Sequence, residues 1–102
     1  MRFSPMILEV AILNLRPASG PAFEAAFREA SAIIAASPGC LAHELRPCLE
    51  SPDRYLLLVQ WRSVADHIVG FRQSAPYQRW RELLHHFYEP FPTVEHYGPP
   101  LP

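Results

Sequence analysis

Four short apolar stretches along the chain have the composition of β-strands. Each is rich in Leu, Ile, Val or aromatic residues, and each is bounded by Pro, Gly, Ser or Asp residues that favour turns. The predicted strands are Ile7 to Leu15, Cys40 to Leu49, Arg54 to Trp61 and Thr93 to Tyr97. The turn residues from Ser51 to Asp53 predict that the second and third strands form a hairpin.

Between these stretches, apolar residues recur at helical spacing. One stripe predicts a helix that begins at Pro21 and runs to about Ala36. The residues of that stripe are Phe23, Phe27, Ala30, Ile33 and Ile34. Ser63 and Asp66 have the spacing of a capping box, which predicts a short helix to about Phe71. Ser74 favours the start of a further helix, whose apolar face carries Tyr77, Trp80, Leu84 and Phe87.

The order of these elements predicts the fold class. Strand, helix, strand, strand, helices, strand is the pattern of an α+β, ferredoxin-like sandwich, in which helices cover one face of an antiparallel four-stranded sheet. A chain of 102 residues has room for a single domain, with its core between about residues 6 and 97.

The predicted sheet has apolar residues on both of its faces. From Tyr55 to Val59 every residue is apolar, and Ile7 to Leu15 is nearly so. The strands of a sheet with one solvent-exposed face normally alternate apolar and polar residues, and the helices can cover only one face. The second face therefore predicts a homodimer that buries more than the ~1,600 Å² of a standard interface.

Composition and charge exclude several classes of partner. The formal net charge is -1 and the arginines are scattered, so neither nucleic acid nor an anionic membrane surface is expected. Cys40 and Cys48 lie on one predicted strand, where roughly 26 Å would separate them, too far for a disulfide. Free thiols and the absence of a membrane-length apolar run predict a cytoplasmic protein.

Three stretches of the chain resemble a known family. ILEVAILNLRP, FEAAFREASAIIAASPGCLAHEL and DRYLLLVQWRSVADHIVGFRQSAPYQRW are similar to the antibiotic biosynthesis monooxygenase family, between Met6 and Tyr97. The resemblance implies a dimeric α+β barrel with an apolar pocket between the sheet and the helices of each subunit. It also implies oxidation of an activated aromatic by dioxygen without metal or flavin, although the family houses several activities.

Two departures from the family pattern limit which family properties can be expected of this chain. Many members have a histidine three residues before the Ser that begins the last helix, where this chain has Phe71, and its own histidine lies earlier, at His67. Relatives that degrade haem carry an asparagine in the first strand, where this chain has Ala11. We therefore do not expect haem degradation.

His67 is the candidate catalytic base among the histidines. It shares a predicted helical face with Val64, Ile68 and Phe71 that points towards the sheet. A buried imidazole of lowered basicity could accept a proton near neutral pH. The alternative is a core histidine that bonds a backbone carbonyl.

The other histidines favour structural roles. On the predicted helix from Ala75, His85 is expected to be the more exposed and His86 to lie at the edge of the apolar face. His43 is expected to be buried with Leu41 and Leu45, and His96 could point towards either face of the sheet. No pair of histidines has the spacing of a zinc motif, and neither a glycine-rich phosphate loop nor a nucleophile elbow occurs, so we expect no metal and no cofactor.

These observations lead to one hypothesis and two alternatives. In the first, a cofactor-independent monooxygenase holds a small phenol- or quinol-type substrate against Trp61, Phe71 and Tyr77, while Arg72 stabilises the substrate anion and His67 takes its proton. The second is a binding module that sequesters a small hydrophobic molecule without turnover. The third is an isomerase-like or degradative enzyme of the same superfamily that uses His67 to shuttle protons.

Overall fold

The computed structural model of the chain describes residues 6–102. Its strands are β1 (Ile7–Asn14), β2 (Cys40–Pro47), β3 (Arg54–Trp61) and β4 (Val94–Tyr97). Its α-helices are α1 (Gly20–Ala35) and α2 (Ala75–Leu84), with a π-helix at Asp66–Phe71 and a 3-10 turn at His85–Phe87.

The four strands form one antiparallel sheet in the order β2-β3-β1-β4. Ile7 pairs with Trp61 and Ala11 pairs with both Leu57 and Val94, so β1 lies between β3 and β4. Both helices pack on one face of this sheet, which is the ferredoxin-like arrangement predicted from the sequence. We call the face under the helices the inner face and the opposite one the outer face.

The core lies between the inner face and the helices. Phe23 and Ile34 of α1 are fully buried there, as are Leu13 and Val59 of the central strands. Because side chains alternate along a strand, the inner-face positions of β1 and β3 are the odd-numbered ones. That register also places Glu9 on the inner face.

Strand β2 departs from its predicted length and phase. It ends at Pro47 rather than at Leu49, since proline has no N–H to donate to the sheet. An irregularity between Cys40 and Ala42 shifts the register, and Leu41 is 52% exposed instead of buried beside His43. The expected burial of His43 between two leucines was therefore wrong, and its side chain is half-buried.

The short helix predicted after β3 is present, and over Asp66–Phe71 it is a π-helix. Ser63 does cap it, since its Oγ accepts a hydrogen bond from the Asp66 N–H at 3.1 Å. His67 and Phe71 are buried against the sheet as predicted, whereas Val64, which was expected on the same face, is 41% exposed. Single π-helical turns are often found at functional sites.

The centre of the outer face is apolar, and no helix of residues 6–102 covers it. Val10 and Ile12 of β1 pair there with Leu58 and Leu56 of β3, and Ile12 is 53% exposed. Polar side chains flank this centre, since Glu44 of β2 and Glu95 of β4 lie on the same face. Within residues 6–102, no helix has the length and apolar character needed to cross a membrane.

Candidate functional site

A cavity of about 280 Å³ lies between the inner face and the helices that follow β3. Most of its wall is apolar, with Ala11, Leu13 and Leu57 from the sheet on one side and Phe71 and Trp80 on the other. Its polar groups are Glu9, His67, Arg72, Tyr77, His85 and Tyr88. The cavity therefore joins an aromatic wall to a small number of titratable side chains.

The aromatic wall is built from rings packed edge to face. Phe71 meets Tyr77 at a centroid distance of 5.1 Å and an interplanar angle of 84°. It meets Trp80 at 5.4 Å and 83°. Edge-to-face packing holds rings in fixed orientations, so this wall presents a defined surface to a flat ligand.

Glu9 is a carboxyl group buried in the inner face of β1, only 5% exposed. Its Oε1 accepts a hydrogen bond of 2.8 Å from the indole N–H of Trp61. Burial raises the pKa of Glu9 above its ordinary value, against the opposing effects of the Trp61 hydrogen bond and the positive charge of Arg72. A carboxylate with a raised pKa is a stronger proton acceptor than one in water.

His67 lies directly against Glu9 and is 3% exposed. Its ring stacks on Trp61 at 5.1 Å and 15°, and its Nε2 lies 3.3 Å from Glu9 Oε1. Burial, together with the charge of Arg72 and the proximity of His96, lowers the pKa of His67 to about 3. His67 is therefore neutral near pH 7, and its contact with Glu9 at this distance is not an ion pair.

His96 extends this cluster towards the protein surface. It pairs with Glu9 across β1 and β4, and its side chain points to the inner face. The Nε2 of His96 lies 2.7 Å from Nδ1 of His67, and the ring is half-buried. The three side chains thus form a continuous row from the cavity wall, which we call the Glu9–His67–His96 row.

Arg72 is half-buried at the cavity and faces several titratable groups. Its positive charge lowers the pKa values of Glu9, His67, His85 and His96. Within residues 6–102 its guanidinium belongs to none of the ion pairs. In this position the guanidinium of Arg72 could bind an anionic group of a ligand in the cavity.

The predicted positions of His85 and His86 were wrong, since the two are exchanged. His85 is half-buried and lines the cavity, 6.1 Å from Tyr77 and 4.9 Å from Phe91 between ring centroids, while His86 is exposed. Burial is the largest cause of the lowered pKa of His85. His85 follows Tyr77 by eight residues, a little over two helical turns, so the spacing already placed them on neighbouring parts of one face.

The cavity brings together the predicted catalytic base and most of the residues predicted to bind substrate. His67, Phe71, Arg72 and Tyr77 all line it. Trp61 does not belong to its wall; it is fully buried behind His67 and holds Glu9 by a hydrogen bond. Among the described residues, no group of three His, Cys, Asp or Glu side chains has an arrangement that could hold a metal ion.

Sequence reasoning missed Glu9. The signal was available, because a lone glutamate in the apolar run ILEVAILNL shares the phase of Ala11 and Leu13, which are buried. Acidic side chains are almost never fully buried unless they have partners, so such a position indicates a polar site.

Comparison with known proteins places the chain among relatives of the same length. A Bacillus subtilis protein described as uncharacterized, YczJ, is 48% identical over 92 residues, which cover 90% of this chain and 97% of that protein. A structure from Bordetella bronchiseptica, provisionally described as an antibiotic biosynthesis monooxygenase, is 36% identical with a TM-score of 0.88 and covers 94% of this chain and 98% of that one.

More distant structures share the fold alone. A Caulobacter crescentus protein with the same provisional description is 24% identical with a TM-score of 0.78, over 93% of this chain and 90% of that one. The model of the family described as antibiotic biosynthesis monooxygenase matches residues 6–83, which include β1 to β3 and most of α2. Because that match covers well over half of the chain, the chain belongs to the antibiotic biosynthesis monooxygenase family.

Proposed function

We propose that the chain is a monooxygenase that oxidises a small phenol- or quinol-type aromatic with dioxygen and without a cofactor. The observation that carries this proposal is an aromatic cavity of about 280 Å³ with its proton-accepting groups on one side. Ligand pockets usually measure roughly 300–1,000 Å³, so this one suits a substrate of one or two rings. Family membership supports the same activity class.

Substrate binding would use the apolar wall. A flat ring fits between Phe71 and the side chains of Leu13 and Leu57, where it excludes water. The substrate hydroxyl would face Glu9 and His67, which lie in contact and together could take its proton. Arg72 would stabilise the oxyanion that forms.

Oxidation would then follow from the electron-rich anion. The anion transfers an electron to dioxygen, and the superoxide joins a ring carbon that carries hydrogen, so that a C–O–O bond forms. After protonation, the O–O bond breaks as that carbon loses its proton, which leaves a new carbonyl and one water. One oxygen atom of dioxygen stays in the quinone product and the other becomes water. The protein's part is to deprotonate, orient and desolvate the substrate.

Oxygen uptake by purified, metal-free protein with a panel of quinols and naphthols tests this proposal. We expect uptake with at least one substrate, and its loss in His67→Gln. The matched control is His86→Gln, the same change at an exposed histidine outside the cavity. Saturable binding of these compounds without uptake would support the binding-module alternative instead. Uptake that persists unchanged in His67→Gln would remove the proposed role of His67.

The same proposal includes a homodimer formed through the outer face. That face presents a continuous apolar surface from Leu8, Val10, Leu56 and Leu58, and Ile12 is 53% exposed. At ~25 cal/mol per Å², leaving it wet would cost several kcal/mol. The resemblance to dimeric α+β barrels favours a second copy as the occupant of this face.

The free thiols Cys40 and Cys48 are typical of a reducing compartment and support a cytoplasmic location.

A further inference from the structure

We propose that Glu9 is the group that accepts the substrate proton, and that its proton exchanges with solvent through His67 and His96. This inference rests on the proposed function for the identity of the proton donor. The row itself rests on geometry: Glu9 lines the cavity, His67 lies between two partners, and His96 is half-buried at the other end.

Both ring nitrogens of His67 are engaged, which removes it as the direct acceptor. Its Nε2 lies 3.3 Å from Glu9 Oε1 and its Nδ1 lies 2.7 Å from His96 Nε2. A neutral imidazole has one N–H donor and one acceptor nitrogen, and here each faces another protein group. The free oxygen of the row is Oε2 of Glu9, since Oε1 already receives the Trp61 N–H.

Two hydrogen arrangements satisfy every contact in the row. With Glu9 ionised, His96 Nε2–H donates to His67 Nδ1, and His67 Nε2–H donates to the carboxylate. With Glu9 protonated, its O–H donates to His67 Nε2, and His67 Nδ1–H donates to His96 Nε2. The second arrangement holds one more proton than the first, and both imidazoles change tautomer between them.

A proton that arrives on Oε2 can pass to His67 once the carboxyl group has turned and both imidazoles have taken the tautomers of the second arrangement. The exchange that then returns the row to the first arrangement balances. As the Glu9 O–H proton moves to His67 Nε2, the His67 Nδ1 proton moves to His96 Nε2, and the His96 Nδ1 proton leaves to water. This restores the ionised carboxylate and both neutral imidazoles, with one proton delivered to solvent. The low basicity of His67 suits this role, because a proton passed to its ring would not remain there.

Charged and titratable neighbours from the surrounding elements set the balance between the two arrangements. Arg72 favours the ionised carboxylate, whereas burial favours the protonated one. Burial is the largest cause of the raised pKa values of Cys40 in β2 and of Tyr88 after α2. The negative charge of Glu9 raises both pKa values further. The remaining titratable groups of the cavity are Tyr77 and His85.

Nuclear magnetic resonance of labelled protein without substrate tests the row directly. We expect the Glu9 carboxyl carbon and the ring nitrogens of His67 and His96 to change together, with one midpoint above the ordinary glutamate pKa of about 4.5. His67 should carry its proton on Nε2 above the midpoint and on Nδ1 below it. Glu9→Gln keeps the shape of the side chain but cannot titrate, so both tautomer changes should disappear. His86→Gln should leave all three signals unchanged.

A titration of Glu9 that leaves both histidine tautomers unchanged would contradict the relay, even if oxygen uptake is observed. Correlated tautomer changes without turnover would support the relay and remove the proposed function instead. If turnover is found, Glu9→Gln should lower kcat by about 10²-fold or more with little change in KM. His96→Gln should slow proton release, followed with an indicator dye, while substrate binding is kept. A Glu9→Gln protein with wild-type kcat would overturn the assignment of Glu9.

Discussion

Both faces of the sheet carry apolar side chains, but only the inner face also contains buried polar groups. Glu9 and His67 are 5% and 3% exposed under the helices. On the outer face Ile12 is 53% exposed, and polar side chains such as Glu44, Arg46 and Glu95 are exposed as well. Burying polar groups costs free energy unless they are hydrogen-bonded, and Trp61 and His96 supply those bonds. The inner face thus holds the polar groups of the candidate site, and the outer face is the one through which we propose that the dimer forms.

The largest expected effect comes from a charge on the outer face. Leu58→Asp would place an unpaired carboxylate in the proposed dimer interface, at a cost of about 3–5 kcal/mol. We expect loss of the dimer with low soluble yield, measured by sedimentation and thermal unfolding. Ala22→Asp, an equal charge at an exposed position in the first turn of α1, is the control. A Leu58→Asp protein as stable as the wild type, or a wild type that sediments as a monomer at micromolar concentration, would contradict the dimer.

The inner face can be tested by comparing its two tryptophans. Trp61→Phe and Trp80→Phe remove the same atoms from buried positions, but only Trp61 gives an N–H to Glu9. We expect the free energy of unfolding to fall by about 1–2 kcal/mol more in Trp61→Phe, because Glu9 loses a donor. Chemical denaturation of both variants measures the difference. Equal losses would show that the hydrogen bond to Glu9 contributes little.

The pH dependence of stability distinguishes the contribution of His67 from that of Glu9. The pKa of His67 falls from 6.5 to about 3 in the folded protein, so the unfolded chain takes up a proton first and stability falls as the pH drops from 6.5 towards 3. The lowered pKa values of His85 and His96 act in the same direction. The raised pKa of Glu9 acts oppositely, since the folded state then binds the proton more tightly.

Melting temperatures measured across this range give the test. His67→Gln should reduce the loss of stability on acidification, and Glu9→Gln should steepen it. His86→Gln, at an exposed position, should follow the wild-type curve. A His67→Gln curve parallel to that of the wild type would mean that His67 is not buried as a neutral group.

The smallest expected effect concerns the two adjacent histidines. His85→Ala removes a polar group from the cavity wall and should weaken ligand binding about threefold to tenfold. His86→Ala changes an exposed side chain and should not alter affinity. Titration of the same aromatic ligand into both variants makes the comparison. Weaker binding in His86→Ala alone would mean that the ligand occupies another surface.

The strands were predictable because alternation and composition act locally. Strand β3 has the predicted bounds, Arg54–Trp61, since Ser51 to Asp53 fix its turn and its own residues favour extended structure. The irregularity at Leu41 was not predictable, because it depends on how β2 registers against β3. The π-helix after Ser63 likewise depends on packing against the sheet, which a capping signal does not report.

The candidate site was only partly predictable for the same reason. His67 was found because its helix had an apolar face, and Phe71 followed from the same face. The bond between His67 and His96 joins residues 29 positions apart, so no local pattern could show it. The exchange of His85 and His86 could have been predicted, because at 100° per residue His85 lies closer than His86 to the direction of Tyr77 on the helix.

The most direct test of the central claim is turnover under dioxygen labelled with oxygen-18, using a quinol or naphthol that binds the cavity. We expect mass spectrometry to find one labelled atom in each quinone product and the other in water. We also expect this incorporation to depend on Glu9 and His67, and not on His86. A product whose new oxygen comes from unlabelled water, or a bound aromatic that is never oxidised, would contradict the proposal that this protein is a monooxygenase.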